Sequence, residues 1–245
     1  MNSKLSSAIT SYNNSLNDPK ARIVYIDIYN SLLNIILNHD KYGFSVADKG
    51  CCGTGNLEVS ILCNKLTDPC PNDSVYVFWD SYHPTERCYR VLVNQELYLL
   101  GAKKIGLFGA APIGCLPSQR TLAGGELRVC SEIYNQAAQL MNSKLSSAIT
   151  SYNNSLNDPK ARIVYIDIYN SLLNIILNHD KYGFSVADKG CCGTGNLEVS
   201  ILCNKLTDPC PNDSVYVFWD SYHPTERCYR VLVNQVLQSS LNKFF

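Results

Sequence analysis

The stretch VYVFWDSYHPTERCYR, Val75 to Arg90, recurs letter for letter as Val215 to Arg230, and its reading decides the fold. Val75 to Trp79 is a near-continuous apolar run, as expected of a strand buried on both faces of a parallel sheet. Pro84 suits the first turn of a helix running through Val93. Between them Asp80 stands three residues before His83, and Asp220 three before His223. Open α/β sheets gather their functional groups at this place, just beyond a strand end. A carboxylate at that spacing can turn back onto the imidazole, fix its tautomer and stabilise its cation, which is the acid–base half of a Ser–His–Asp site. The plainer reading is that Asp80 or His83 caps the following helix.

Working outward, Arg22 to Tyr29 (RIVYIDIY, repeated as Arg162 to Tyr169) is β-branched and aromatic and predicts a strand. Ser31 to Leu37 predicts a short helix, and Gly50 to Pro71 an irregular region rich in cysteine and glycine. In the single-copy middle, Glu96 to Gly101 predicts a helix end with Gly101 as its cap, and Lys103 to Phe108 (KKIGLF) another strand. Gly109 to Gly114 follows that strand much as Asp80 to His83 follows VYVFW. Apolar residues at 133, 134, 137, 138, 141, 145, 148, 149, 152 and 156 predict one amphipathic helix from Ile133 to Leu156. Strands alternating with helices indicate a layered α/β fold.

Residues 1–95 are identical to residues 141–235, and the match stops at Glu96 against Val236. Solenoid repeats diverge on their exposed faces, whereas here even Asn13, Lys20 and Asp68 are unchanged. Identity of that kind points to a recent tandem duplication or to a gene model joining parts of two copies. Met141 falls inside the long predicted helix, so the copy opening at Met1 starts in mid-helix. The expected division is therefore 1–95, a truncated duplicate, and 96–245, the C-terminal portion of a domain.

Composition narrows the function. Lys+Arg and Asp+Glu are both 21, which argues against electrostatic capture of nucleic acid or of an anionic membrane. No apolar run approaches the roughly 20 residues of a spanning helix, so no integral membrane association is expected. Residues 1–20 lack the basic start and apolar stretch of a secretory signal. Twelve cysteines in 245 residues nevertheless suit an oxidising compartment. The clusters Cys51, Cys52, Cys63, Cys70 and Cys115, Cys130 favour disulfides over zinc, which prefers paired CxxC ligands. Cys115 and Cys130, bracketing a glycine-rich loop, are expected to pair with each other. Asn13, Asn72, Asn153 and Asn212 stand in glycosylation triplets. Gly106, Gly109 and Gly114 do not form a phosphate loop, and neither cofactor nor metal is expected.

Four blocks, LYLLGAKKIGLFGAAPIGCLPSQR, ARIVYIDIYN, DKGCCGTGNLEVSILCN and VFWDSYHPTERCYR, occur in this order between Leu97 and Val233. Together they closely resemble the plant GDSL esterase/lipase family of the SGNH hydrolase superfamily. The resemblance implies a flavodoxin-like three-layer α/β/α fold, hydrolysis of carboxylic esters of small-molecule or lipid type, and secretion. It also implies Asp220 and His223 as acid and base of the triad; Asp80 and His83 match the motif equally well. The family nucleophile lies in a GDS block and its oxyanion donors include a GxND block. Neither string occurs in these 245 residues. Ser81 and Ser221 occupy a position to which the family assigns no chemistry, and Asp73-Ser74 follows Asn72 rather than glycine. The expectation is thus an incomplete sheet without its N-terminal strands, and a hydrolase by descent in which loss of the nucleophile removes covalent catalysis. The alternative is a non-catalytic remnant with a binding role.

Overall fold

A computed structural model describes residues 2–15, 27–53, 63, 68–93, 104–156, 161–193, 195, 197–198, 203 and 207–244. The chain divides into two compact units, Met1–Gly101 and Ala102–Phe245. Of the strand expected over residues 22–29, residues 22–26 lie outside the described residues, while Ile28 and Tyr29 already belong to a helix; the helix end over residues 96–101 also lies outside them.

The first unit contains α1 (Asn2–Ser15), α2 (Ile28–Leu37), β1 (Val46–Gly50), β2 (Tyr76–Phe78) and α3 (Glu86–Val93). β1 and β2 are parallel, pairing Val46 with Tyr76 and Gly50 with Phe78 across an irregular register. Ile35, Phe44, Val77, Cys88 and Leu92 form the core, so α2 and α3 contribute their apolar stripes to the small sheet. The helix after the motif begins later than the sequence predicts. Pro84 makes an antiparallel bridge with Phe78, and Thr85 caps the helix, its Oγ1 accepting from the Cys88 N–H at 3.2 Å. The same hydroxyl donates to the Tyr76 carbonyl at 2.8 Å, which ties the helix start to the strand. Neither Asp80 nor His83 is needed as a cap.

The second unit contains β3 (Lys104–Phe108), α4 (Pro117–Ala123), α5 (Glu132–Ser155), β4 (Arg162–Ile166), α6 (Tyr169–Leu177), β5 (Val186–Gly190), β6 (Tyr216–Phe218) and α7 (Glu226–Ser240). β5 and β6 repeat the pairing of β1 and β2, Val186 with Tyr216 and Gly190 with Phe218. β3 and β4 pair in parallel from Lys104 with Arg162 to Phe108 with Ile166. Val164, Ile166, Leu172, Ile175, Phe184, Val217 and Phe218 are among its core residues. The architecture is α/β, and the described ladders, all parallel, form three separate two-stranded sheets.

α5 forms as the periodicity predicts, but its buried stripe is mixed, two of the predicted apolar positions and two asparagines. Ile133, Met141 and Tyr152 are exposed, whereas Asn135, Ala138, Asn142 and Ile149 are buried. Buried amides require partners, and both asparagines find them in the glycine-rich segment after β3. Asn135 Oδ1 accepts from the Gly114 N–H at 2.9 Å. Asn142 accepts from the Ala110 N–H at 2.6 Å and donates to the Ala110 carbonyl at 2.9 Å. Residues 109–114 are therefore held to α5 by side-chain amides. Asn153, in its glycosylation triplet, likewise bonds both the N–H and the carbonyl of Ile163.

Five disulfides link Cys51–Cys70, Cys52–Cys63, Cys115–Cys130, Cys191–Cys210 and Cys192–Cys203. Cys88 and Cys228 remain as buried thiols. No helix among the described residues is long and apolar enough to cross a membrane.

Candidate active site

β2 and β6 are each followed by a tryptophan and then the aspartate, and backbone bonds fold the chain back at once. The N–H of Trp79 donates to the His83 carbonyl at 2.7 Å, and Trp219 to His223 at the same distance. Within each turn the aspartate Oδ1 accepts two backbone N–H groups, from Tyr82 at 2.9 Å and His83 at 2.7 Å in the first unit. Tyr222 and His223 repeat these distances on Asp220. The carboxylate is thereby fixed before it meets the ring. His83 Nδ1 lies 2.8 Å from Asp80 Oδ2 and 3.0 Å from Oδ1; His223 Nδ1 lies 2.9 Å from both oxygens of Asp220.

The aspartate side chains are about 6–7% exposed and the histidines 58–59%. A buried carboxylate accepting from Nδ1 keeps the proton there and leaves the Nε2 lone pair pointing outward. Such a ring can take a proton from a hydroxyl brought to its open edge and return it to a leaving group. Among the described residues no hydrogen-bond partner stands at Nε2 of either ring.

The floor of the turn comes from the neighbouring strand. A Cβ on Gly50 would lie 2.8 Å from the Asp80 Cα, and one on Gly190 the same distance from that of Asp220. Only glycine permits the strands to approach so closely. The following cysteines continue the pairing: Cys51 and Cys52 donate to the carbonyls of Phe78 and Trp79, at 3.0 and 2.6 Å. The strand beside the turn is therefore stapled, since these cysteines are the ones that form disulfides. On the helix side Arg87 donates to the carbonyls of Tyr42, Gly43 and Ser74 at 2.8–2.9 Å and stacks over Phe44. Arg227 repeats this around Phe184. Burial pushes the Cys88 thiol up to about 11 and that of Cys228 up to about 12, so both are unreactive packing residues at neutral pH.

Sequence reasoning missed Glu198. Its side chain is fully buried, with Oε1 accepting from the Gly190 N–H and Oε2 from the Ser221 hydroxyl, each at 2.9 Å. Its position in an irregular loop carried no periodic signal. The Gly109–Gly114 segment, the other strand end singled out by sequence, does not bring its own acid or base to the site. A groove of about 280 Å³ in the second unit, lined by Ser146, Thr150, Asn153, Arg162 and Lys243 among others, includes neither Asp220 nor His223. Among the described residues no cluster of three or more His, Cys, Asp or Glu side chains could hold a metal ion.

The model of the family described as GDSL-like Lipase/Acylhydrolase matches residues 1–96 and again 93–236. The chain is 53% identical over 150 residues to GDSL esterase/lipase EXL3 of Arabidopsis thaliana, covering 61% of this chain and 41% of that protein. It is 52% identical over 145 residues to GDSL esterase/lipase EXL2 of the same plant, covering 59% and 38%. GDSL esterase/lipase At1g20120 is 49% identical over 151 residues, covering 61% and 37%. The chain thus matches about two fifths of the length of these curated relatives.

Proposed function

From the premise that the chain belongs to the GDSL-like lipase/acylhydrolase family, we propose that it carries the acid–base half of a Ser–His–Asp carboxylic-ester hydrolase. In this reading residues 96–245 are the C-terminal portion of a three-layer α/β/α domain, whose N-terminal strands, GDS serine and GxND oxyanion donors are not among these 245 residues. Residues 1–95 are a truncated duplicate of the same portion. His223 Nε2 takes the proton of the serine hydroxyl as that oxygen attacks the ester carbonyl, and passes it to the departing alcohol. In the second half it draws a proton from the water that attacks the acyl carbon and returns it to the serine oxygen as the bond to the acid breaks. Asp220 holds the ring by Nδ1 and stabilises the imidazolium without itself being protonated. The observation that carries the reading is the Asp220–His223 contact, 2.9 Å to each oxygen, with the carboxylate buried and the ring open. The substrate is a small-molecule or lipid ester, and the five disulfides suit a secreted protein.

The test is a chimera in which residues 96–236 replace the corresponding segment of GDSL esterase/lipase EXL3. It should hydrolyse a p-nitrophenyl ester and lose on the order of 10⁴-fold or more in kcat with His223→Ala. Turnover unaffected by that substitution would refute the assignment.

A second reading, a non-catalytic remnant that binds, draws on the absence of GDS and GxND from the sequence. It predicts that the 245-residue chain alone gives no turnover above the rate in water. Hydrolysis by the chain alone, abolished by His223→Ala, would eliminate it.

A further inference from the structure

We propose that Glu198 is a positioning residue for the Asp220–His223 pair, acting through Ser221; this rests on the reading of that pair as acid and base. Glu198 belongs to the loop closed by Cys192–Cys203. The loop's base is anchored to the end of β6, where the Cys191 and Cys192 N–H groups donate to the carbonyls of Phe218 and Trp219 at 3.0 and 2.6 Å. From that anchor the loop returns Glu198 beneath the catalytic turn. There its carboxylate receives the Ser221 hydroxyl at 2.9 Å, from the residue directly after Asp220.

The choice of glutamate follows from the donors present. A buried carboxylate is costly unless it is hydrogen-bonded, and this one meets a backbone N–H from Gly190 and a hydroxyl from Ser221, one on each oxygen. An amide has one acceptor oxygen and would turn an NH₂ group toward one of the two donors. The Glu198 backbone is itself held, its N–H donating to Thr121 Oγ1 in α4 at 2.9 Å. α4 grips the turn from a second side, the Ser118 N–H donating to the Ser221 carbonyl at 3.1 Å. Ser221 is fully buried between these contacts. The position for which the family motif prescribes no chemistry is therefore the handle by which loop and helix orient the carboxylate on one side of it and the imidazole on the other.

The experiment follows the His223 Nδ1–H proton by NMR in the 245-residue chain. The Nδ1–H of His83, in the same Asp–His geometry, serves as an internal reference, and no enzymatic turnover is needed. Ser221→Ala deletes a single oxygen atom and leaves the glutamate charge in place; Glu198→Gln removes the charge and one acceptor. Both should lose the His223 resonance to exchange with water while that of His83 persists. Overall destabilisation alone would lower the melting temperature without singling out His223. Persistence of the His223 resonance in both variants overturns the proposal. Its absence from the unmodified chain overturns the pairing itself, and so separates failure of the functional reading from failure of this inference.

Discussion

The two units put one amino-acid sequence into two surroundings, and the difference separates what is encoded locally from what is supplied by neighbours. The Asp–His turn, the arginine clamp and the paired disulfides are nearly superimposable in distance between the copies. All of them are built inside the repeated 95 residues. Burial is not shared. Tyr29 is 59% exposed and its counterpart Tyr169 only 4%, because α5 offers Gln139 to the Tyr169 hydroxyl at 2.9 Å. Gln139 precedes Met141 and so lies outside the repeated residues. Leu172, Ile176 and Phe218 are buried in the second unit, while Leu32, Ile36 and Phe78 remain half-exposed. An identical chain therefore makes an identical turn, but the depth of its core depends on segments outside the repeat.

The largest expected effect exploits that contrast. Tyr169→Ala should cost about 3–5 kcal/mol, as for truncation of a buried aromatic, whereas Tyr29→Ala should fall within about 0.5 kcal/mol. Denaturant unfolding followed by hydrogen exchange in each unit would measure both, and equal costs would break the comparison. A smaller, matched effect is expected at the clamp. Arg87→Ala and Arg227→Ala each remove charged hydrogen bonds to three carbonyls, a set expected to contribute about 1.5–3 kcal/mol per arginine once solvent screening is counted. Partial exposure brings the expected loss to the lower end, and a several-fold inequality between copies would show that the repeat is not self-contained.

The smallest effect concerns the two thiols. Burial raises both, Cys88 to about 11 and Cys228 to about 12. The folded protein should resist alkylation at pH 8, and with rising pH Cys88 should label before Cys228. The unfolded thiols deprotonate near 9.0, so their contribution to stability is complete below that pH and is lost as pH climbs toward the folded values. Full labelling of two thiols after denaturation without reductant would confirm that the other ten cysteines are paired. Labelling of Cys228 first would overturn the assigned order of the two thiols.

Sequence alone determined what depends on close neighbours along the chain. The Asp–His spacing of three residues, the length of α5, the strand at KKIGLF and the Cys115–Cys130 pair all follow from local spacing or periodicity, whose geometry a short peptide already constrains. Tertiary structure decided the rest. VADKG, at Val46–Gly50 and Val186–Gly190, forms strands although its composition disfavours them; the apolar strand beside it supplies the ladder. α5 buries Asn135 and Asn142 rather than Ile133 and Met141, because their amide partners lie 21 and 32 residues away. Glu198 reaches Ser221 across 23 residues and Thr121 across 77. A buried carboxylate is stable only where the fold assembles its donors, and no pattern in the sequence around it could have announced that they would meet.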